Sequence, residues 1–176
     1  MNDEDTMDTG GDASESRVEY RRIMGRNEFQ AAVVATVERA AIEGSLEMTW
    51  CDSNFAQWPL ADPLLLANLA RWSSPRRKLL MLAHDFDELP RRFPAFVKWR
   101  RQWSHIVDCR VPDDVVMSAA KTMLWVPGLE CLKLADVDRL AGIVSSLPED
   151  MNRVRESIEA VSQRSQPGFP ATVLGL

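Results

Sequence analysis

The sequence predicts an α/β fold: a mixed, mostly parallel sheet flanked by helices. Three observations carry that expectation. Leu79-Leu80-Met81-Leu82-Ala83 is a continuous apolar run bounded by charge, which suits a parallel strand covered on both faces. From Leu46 to Leu134 strand-like and helix-like stretches alternate with short connections, the pattern of right-handed crossovers onto one sheet. Near the end of that stretch, Pro127-Gly128 separates two apolar runs; a turn dipeptide there makes a hairpin and so a mixed sheet.

The elements follow in order. Residues 1–26 are acidic, contain Gly and Ser and have few large apolar groups. They bury too little surface to offset ordering and are expected to form a disordered tail. Asn27 then offers an N-cap with Glu28 in the first turn, and Phe29, Val33, Val37 and Ala40 recur at helical spacing up to Gly44. Leu46–Cys51 reads as a strand. Asp62 caps a second helix with Pro63 at its first position, where a missing N–H costs nothing. A basic, aromatic helix runs from about Arg92 to Trp103, and Ile106–Val111 is a third strand. Lys121–Val126 and Glu130–Leu134 form the hairpin. Asp136 is expected to cap a helix through Leu147, and Pro148 to restart it with Met151, Val154, Ile158 and Val161 as its apolar stripe. Residues 166–176 read as an extended tail behind a domain spanning 27–165.

Composition narrows the function. The chain has 176 residues, 45% hydrophobic, enough for one domain with a core. No apolar run approaches the ~20 residues that cross a bilayer, and the acidic start is no secretory leader. The three cysteines, Cys51, Cys109 and Cys131, are odd in number and widely spaced, unlike a disulfide framework or a zinc ribbon. A cytoplasmic protein without membrane, metal or cofactor is the expectation. Net charge is -5, unevenly spread: residues 1–20 carry seven acids against Arg17, and residues 71–110 carry ten bases against four acids. An acidic tail on a basic middle can screen it or regulate access to it.

Candidate site residues follow from topology. His84 and Asp85 come directly after a strand, at the sheet edge where α/β proteins place ligands. Asp52 ends another strand at the same edge, and Arg110 a third; Cys109 or Glu88 is a further group that could converge there. No Gly-x-Ser-x-Gly occurs, so a nucleophile elbow is excluded. Arg91, Arg92, Lys98, Arg100 and Arg101, interleaved with Trp99 and Trp103, are candidates for binding a polyanion such as nucleic acid. The acidic pI of about 5.1 weighs against that reading.

The chain also resembles a group of uncharacterised bacterial phospholipase-D-like half-domains, over roughly Phe29 to Arg164. The resemblance is carried by the first helix, by Leu46–Cys51 with Asp52, Phe55 and Trp58-Pro59-Leu60 behind it, and by Leu79–Ala83. It extends to Arg100-Arg101-Gln102-Trp103-Ser104-His105, to Ile106–Arg110, and to the ending from Ser165 through Phe169-Pro170 to Leu176. It implies a phospholipase-D-like fold and the motif His-x-Lys followed, after four residues, by Asp. In this chain those positions read Ala119, Lys121 and Val126. Only Lys121 matches, as a candidate phosphate-binding cation. Phosphoryl transfer through a covalent intermediate needs a nucleophile and a proton donor, and alanine and valine supply neither. The expected function is therefore a non-catalytic binding or assembly module, acting as a homodimer or with a protein partner. The competing expectations are a phosphodiester or phosphoryl hydrolase built around His84, Asp85 and Lys121, and polyanion binding through residues 91–110.

Overall fold

The computed structural model describes residues 20–113 and 121–170. They form one eight-stranded mixed sheet, in the order β1-β7-β6-β5-β2-β3-β4-β8. The strands are β1 (Tyr20–Ile23), β2 (Glu47–Cys51), β3 (Lys78–Leu82), β4 (Val107–Pro112), β5 (Met123–Val126), β6 (Glu130–Asp136), β7 (Ala141–Ser145) and β8 (Ser165–Pro167). The helices are α1 (Arg26–Ile42), α2 (Pro63–Trp72), α3 (Leu89–Arg92), α4 (Pro94–Gln102) and α5 (Pro148–Gln163). The sheet is mixed as expected, but its parallel share is smaller: β2 with β3 and β3 with β4 are parallel, and the other pairings are antiparallel.

Helices α1, α2 and α4 cover one face. That side holds the main core, where Trp50, Trp58, Trp72, Phe29, Phe55 and Phe96 are all nearly or fully buried. Trp58 meets Phe29 edge-on at 5.9 Å and lies 5.1 Å from the Trp50 ring, so the loop after β2 is anchored by aromatic packing. Arg39 of α1 pairs with Glu130 at the start of β6, and Thr36 donates to the same carboxylate at 2.6 Å. The opposite face is thinner. Val154, Ile158 and Val161 of α5 pack on Cys51, Leu82, Met123 and Cys131, with Leu80 and Trp125 half-buried beside them.

Four local expectations change. Tyr20–Ile23, placed with the tail, is an edge strand paired to β7; residues 1–19 lie outside the described residues. The N-cap of α1 is Gly25, with φ 83°, rather than Asn27; the Glu28 carboxylate accepts the Met24 N–H at 2.9 Å. The stretch from Asp136 to Leu147 is a turn and a strand instead of a helix. Asp136 Oδ1 accepts the Arg139 N–H at 3.0 Å and Leu140 takes φ 51°, which reverses the chain. Gly142 then lies so close to β6 that a Cβ there would meet the Lys133 carbonyl oxygen at 2.1 Å. Finally, the chain after α5 is held to the domain as far as Pro170. β8 pairs with β4, the Gly168 N–H donates to Cys109 C=O at 2.9 Å, and the Phe169 ring stacks on Phe86 at 5.5 Å. Residues 171–176 lie outside the described residues. The apolar stripe of α5 is likewise occupied by its own sheet, so it is not a free surface for a partner.

Candidate functional site

Strands β2, β3 and β4 end at one edge of the sheet, and antiparallel β5 begins there. That geometry brings the loops after β2 and β3 and the start of β5 together. The Asp52 N–H donates to Leu82 C=O at 3.0 Å, and the His84 N–H to Ser53 C=O at 3.0 Å. Thr122 Oγ1 donates to Asp52 Oδ2 at 2.6 Å, so Lys121 stands next to the residue that touches Asp52. The convergence of Asp52, His84, Asp85 and Lys121 at one edge is thus present in the structure.

The chemistry of each residue is more restricted than its position suggests. Asp52 is 6% exposed. Its Oδ1 accepts the N–H groups of Asn54 (3.1 Å) and Phe55 (2.8 Å), while Oδ2 takes the Thr122 hydroxyl. This is an Asx turn pinned to the neighbouring strand. Three donors hold the carboxylate in place and take most of its accepting capacity. Asp85 Oδ1 accepts the Asp87 N–H at 3.3 Å, another local turn. Arg110 forks onto Ser165, with Nε 2.8 Å from the hydroxyl and a terminal nitrogen 2.6 Å from the carbonyl, and lies 3.7 Å from Asp108. It fastens β8 to β4. His84 and Lys121 are exposed at the edge.

A cleft of about 540 Å³ opens on this edge between the start of α1, the Asp52–Gln57 loop and the β6–β7 turn. Arg26 and Arg139 bring positive charge to it, and Asn54 and Gln57 bring carboxamides. Asp136 lies 3.7 Å from Arg139. Little in the local sequence marks these residues. Arg139 lay in a stretch with helical spacing, and Arg26 gains its place from the turn at Gly25. Thr122, the partner that fixes Asp52, carries no motif at all.

The basic candidates divide. Arg100 is 4% exposed. It donates to Cys109 Sγ at 3.2 Å and to the Phe169 carbonyl, and its guanidinium lies 4.4 Å over the Phe169 ring. It is a clamp on the end of the chain and unavailable to a polyanion. Arg91, Arg92, Lys98 and Arg101 are exposed. Trp99 is buried in the main core, and Trp103 lies half-buried beside the His105 ring at 5.7 Å.

All three cysteines are buried and unpaired. Burial, with Asp52 adjacent, pushes the Cys51 thiol up to about 12. Burial, then Asp150 and Glu130, does the same for Cys131. Burial also raises Cys109, although Arg100 opposes it. These are inert thiols rather than nucleophiles. Among the described residues no group of three His, Cys, Asp or Glu side chains stands together as a metal site. Nor is any helix there long and apolar enough to cross a membrane.

Neither a protein-family model nor any curated protein matches the sequence. Solved structures do. TrmBL2, an archaeal chromatin protein with a novel mode of DNA binding, superimposes with a TM-score of 0.60 at 14% identity, covering 90% of this chain and 56% of that one. Nuc from Salmonella typhimurium, a phospholipase D family member, gives 0.55 at 8% identity, and 86% of this chain covers 100% of that one. NucT from Helicobacter pylori gives 0.55 at 5% identity with the same coverage. The fold is phospholipase-D-like. On this phospholipase-D-like sheet Lys121 sits at the start of β5, while Val126, at its far end, is fully buried in the main core. Ala119 lies outside the described residues. The chain spans about half the length of the chromatin protein, so the likeness concerns the fold alone.

Proposed function

We propose that the chain is a non-catalytic binding and assembly module on a phospholipase-D-like scaffold, self-association being the favoured mode. One observation carries the reading. The position at which the resemblance expects an Asp is Val126, a fully buried core residue at the far end of β5 from Lys121, so no carboxylate stands there. At the edge where Lys121 stands, Asp52 is held by Asn54, Phe55 and Thr122. What this edge still presents outward is an open cleft with apolar groups on its rim. Met24 is 73% and Val137 44% exposed, and their segments are tied by the Gly25 N–H to Leu140 C=O bond at 3.1 Å. Exposed apolar groups beside a cleft are a common mark of an interface. A second copy related by a two-fold axis would cover that edge with the same patch of its own, as the paired halves of the superfamily imply.

The test is the solution mass by light scattering of the full chain and of a Met24→Glu/Val137→Glu double variant. The expected result is a dimer that becomes a monomer when two charges are placed on the rim. A monomeric full chain, or a dimer indifferent to the variant, would overturn self-association through this edge. Phosphodiester hydrolysis around His84, Asp85 and Lys121 is the competing reading, favoured by the meeting of their loops at one edge; it predicts turnover.

A further inference from the structure

The α2–α4 layer has an unusual charge pattern. No Asp or Glu occurs from Pro63 to His84, nor from Leu89 to Val107. The helices of these two stretches pack against each other, joined by the Trp99 Nε1 bond to Ser73 Oγ at 3.1 Å. Their outer surface exposes Arg71, Arg76, Arg91, Arg92, Lys98 and Arg101. Among the described residues only Arg91 of these six is ion-paired, with Glu88 at 2.7 Å. Such a concentration of cations on one side of an acidic chain is repulsive unless something negative lies over it.

The chain supplies a matching segment. Residues 1–19 carry Asp3, Glu4, Asp5, Asp8, Asp12, Glu15 and Glu19 against the single base Arg17. They join the fold at Tyr20, where β1 begins, and β1 starts at the same sheet edge as β3, whose first residue is Lys78. β1 and β4 are six positions apart in the sheet, a distance of ~29 Å at ~4.8 Å per strand. An extended segment of nineteen residues reaches ~60 Å, so it can cross to α2 and α4 with chain to spare. Tethering places it there at an effective concentration on the order of millimolar.

We propose that residues 1–19 dock on this basic face of their own chain, as an electrostatic strap that other polyanions must displace. This does not depend on the assembly reading, because the face lies on the helical layer away from the cleft.

Four lysines make the test clean: Lys98 lies on the face, whereas Lys78, Lys121 and Lys133 lie elsewhere. The full chain is treated with a water-soluble carbodiimide, which joins a carboxylate to an amine only in direct contact, and the linked peptides are mapped by mass spectrometry. The expected links run from the carboxylates of residues 1–19 to Lys98, within the monomer band. They form at about 0.1 M salt, where the screening length is about 10 Å, and fade at about 1 M, where it is about 3 Å. Arg71→Glu/Arg101→Glu should abolish them while leaving the fold intact. Links spread evenly over the four lysines, links confined to a dimer band, or no links at all would overturn the proposal. A second readout is anisotropy of a labelled single-stranded oligonucleotide. Neutralising the seven acids to Asn and Gln should tighten its binding at least tenfold at low salt. Equal binding by both forms would count against the strap.

Discussion

The carboxyl edge of the sheet and the outer surface of α2–α4 carry similar side chains in opposite conditions. At the edge Asp52 holds three donors and Arg110 grips Ser165, with only His84 and Lys121 of its candidate residues left exposed. On the helical surface Lys98 and Arg101 stand in solvent with no acid in their helix. Two adjacent residues show the contrast most sharply. Arg100 is sealed between Cys109 and Phe169, and Arg101 is exposed. A charge that is buried and hydrogen-bonded specifies the fold, whereas an exposed and unpaired one is available for association. Asp52 and Arg110 are of the first kind, Lys98 and Arg101 of the second.

The largest effect that tests this contrast comes from Asp52→Ala. It strands two backbone N–H groups and a buried hydroxyl, each costing about 1–3 kcal/mol. A loss of about 3 kcal/mol in urea unfolding is expected, with Asp52→Asn milder. Near-neutral unfolding of Asp52→Ala would show that the edge is not fastened in this way. Arg100→Ala comes next, at about 2 kcal/mol, from lost charge-assisted hydrogen bonds and the ring contact; a change under about 0.5 kcal/mol would remove the clamp from the account.

A smaller effect comes with pH. Burial pushes the folded thiols of Cys51 and Cys131 up to about 12 from an ordinary value of 9.0. Between these limits the unfolded chain has lost protons that the folded chain keeps. Stability is therefore complete below pH 9 and falls as pH rises toward 12. Urea midpoints at pH 8 and pH 10 should show that fall, and Cys51→Ala/Cys131→Ala should flatten it; an unchanged slope would argue against buried neutral thiols. The smallest effect is expected from Lys98→Glu, within about ±0.5 kcal/mol. A large loss of stability there would mean the helical face is part of the fold's fastening after all.

Much of the fold was legible where one local signal acted alone. Leu79–Ala83, the Asp62-Pro63 start of α2 and the Pro127-Gly128 hairpin all form as their sequences indicate. The miss at Ala141–Ser145 has a tertiary cause. Helix-like spacing of apolar groups lost to a strand that needs Gly142 against Lys133 and a turn held by Asp136. β1 was hidden because a four-residue basic edge strand resembles its charged surroundings. For the site, strand ends indicate which loops meet at one edge, because strand direction fixes that meeting. They did not indicate what each side chain does there. Asp52 is satisfied by Thr122, which lies seventy residues away, and Arg100 by residues near the other end of the chain. Long-range partners of that kind leave no local trace.

The most direct test of the central claim is turnover of a chromogenic phosphodiester by the full chain, beside Lys121→Ala and His84→Ala. The account predicts no hydrolysis that depends on either side chain. Hydrolysis by the full chain that disappears in Lys121→Ala or His84→Ala, with unfolding midpoints unchanged, would contradict it and make this edge an active site.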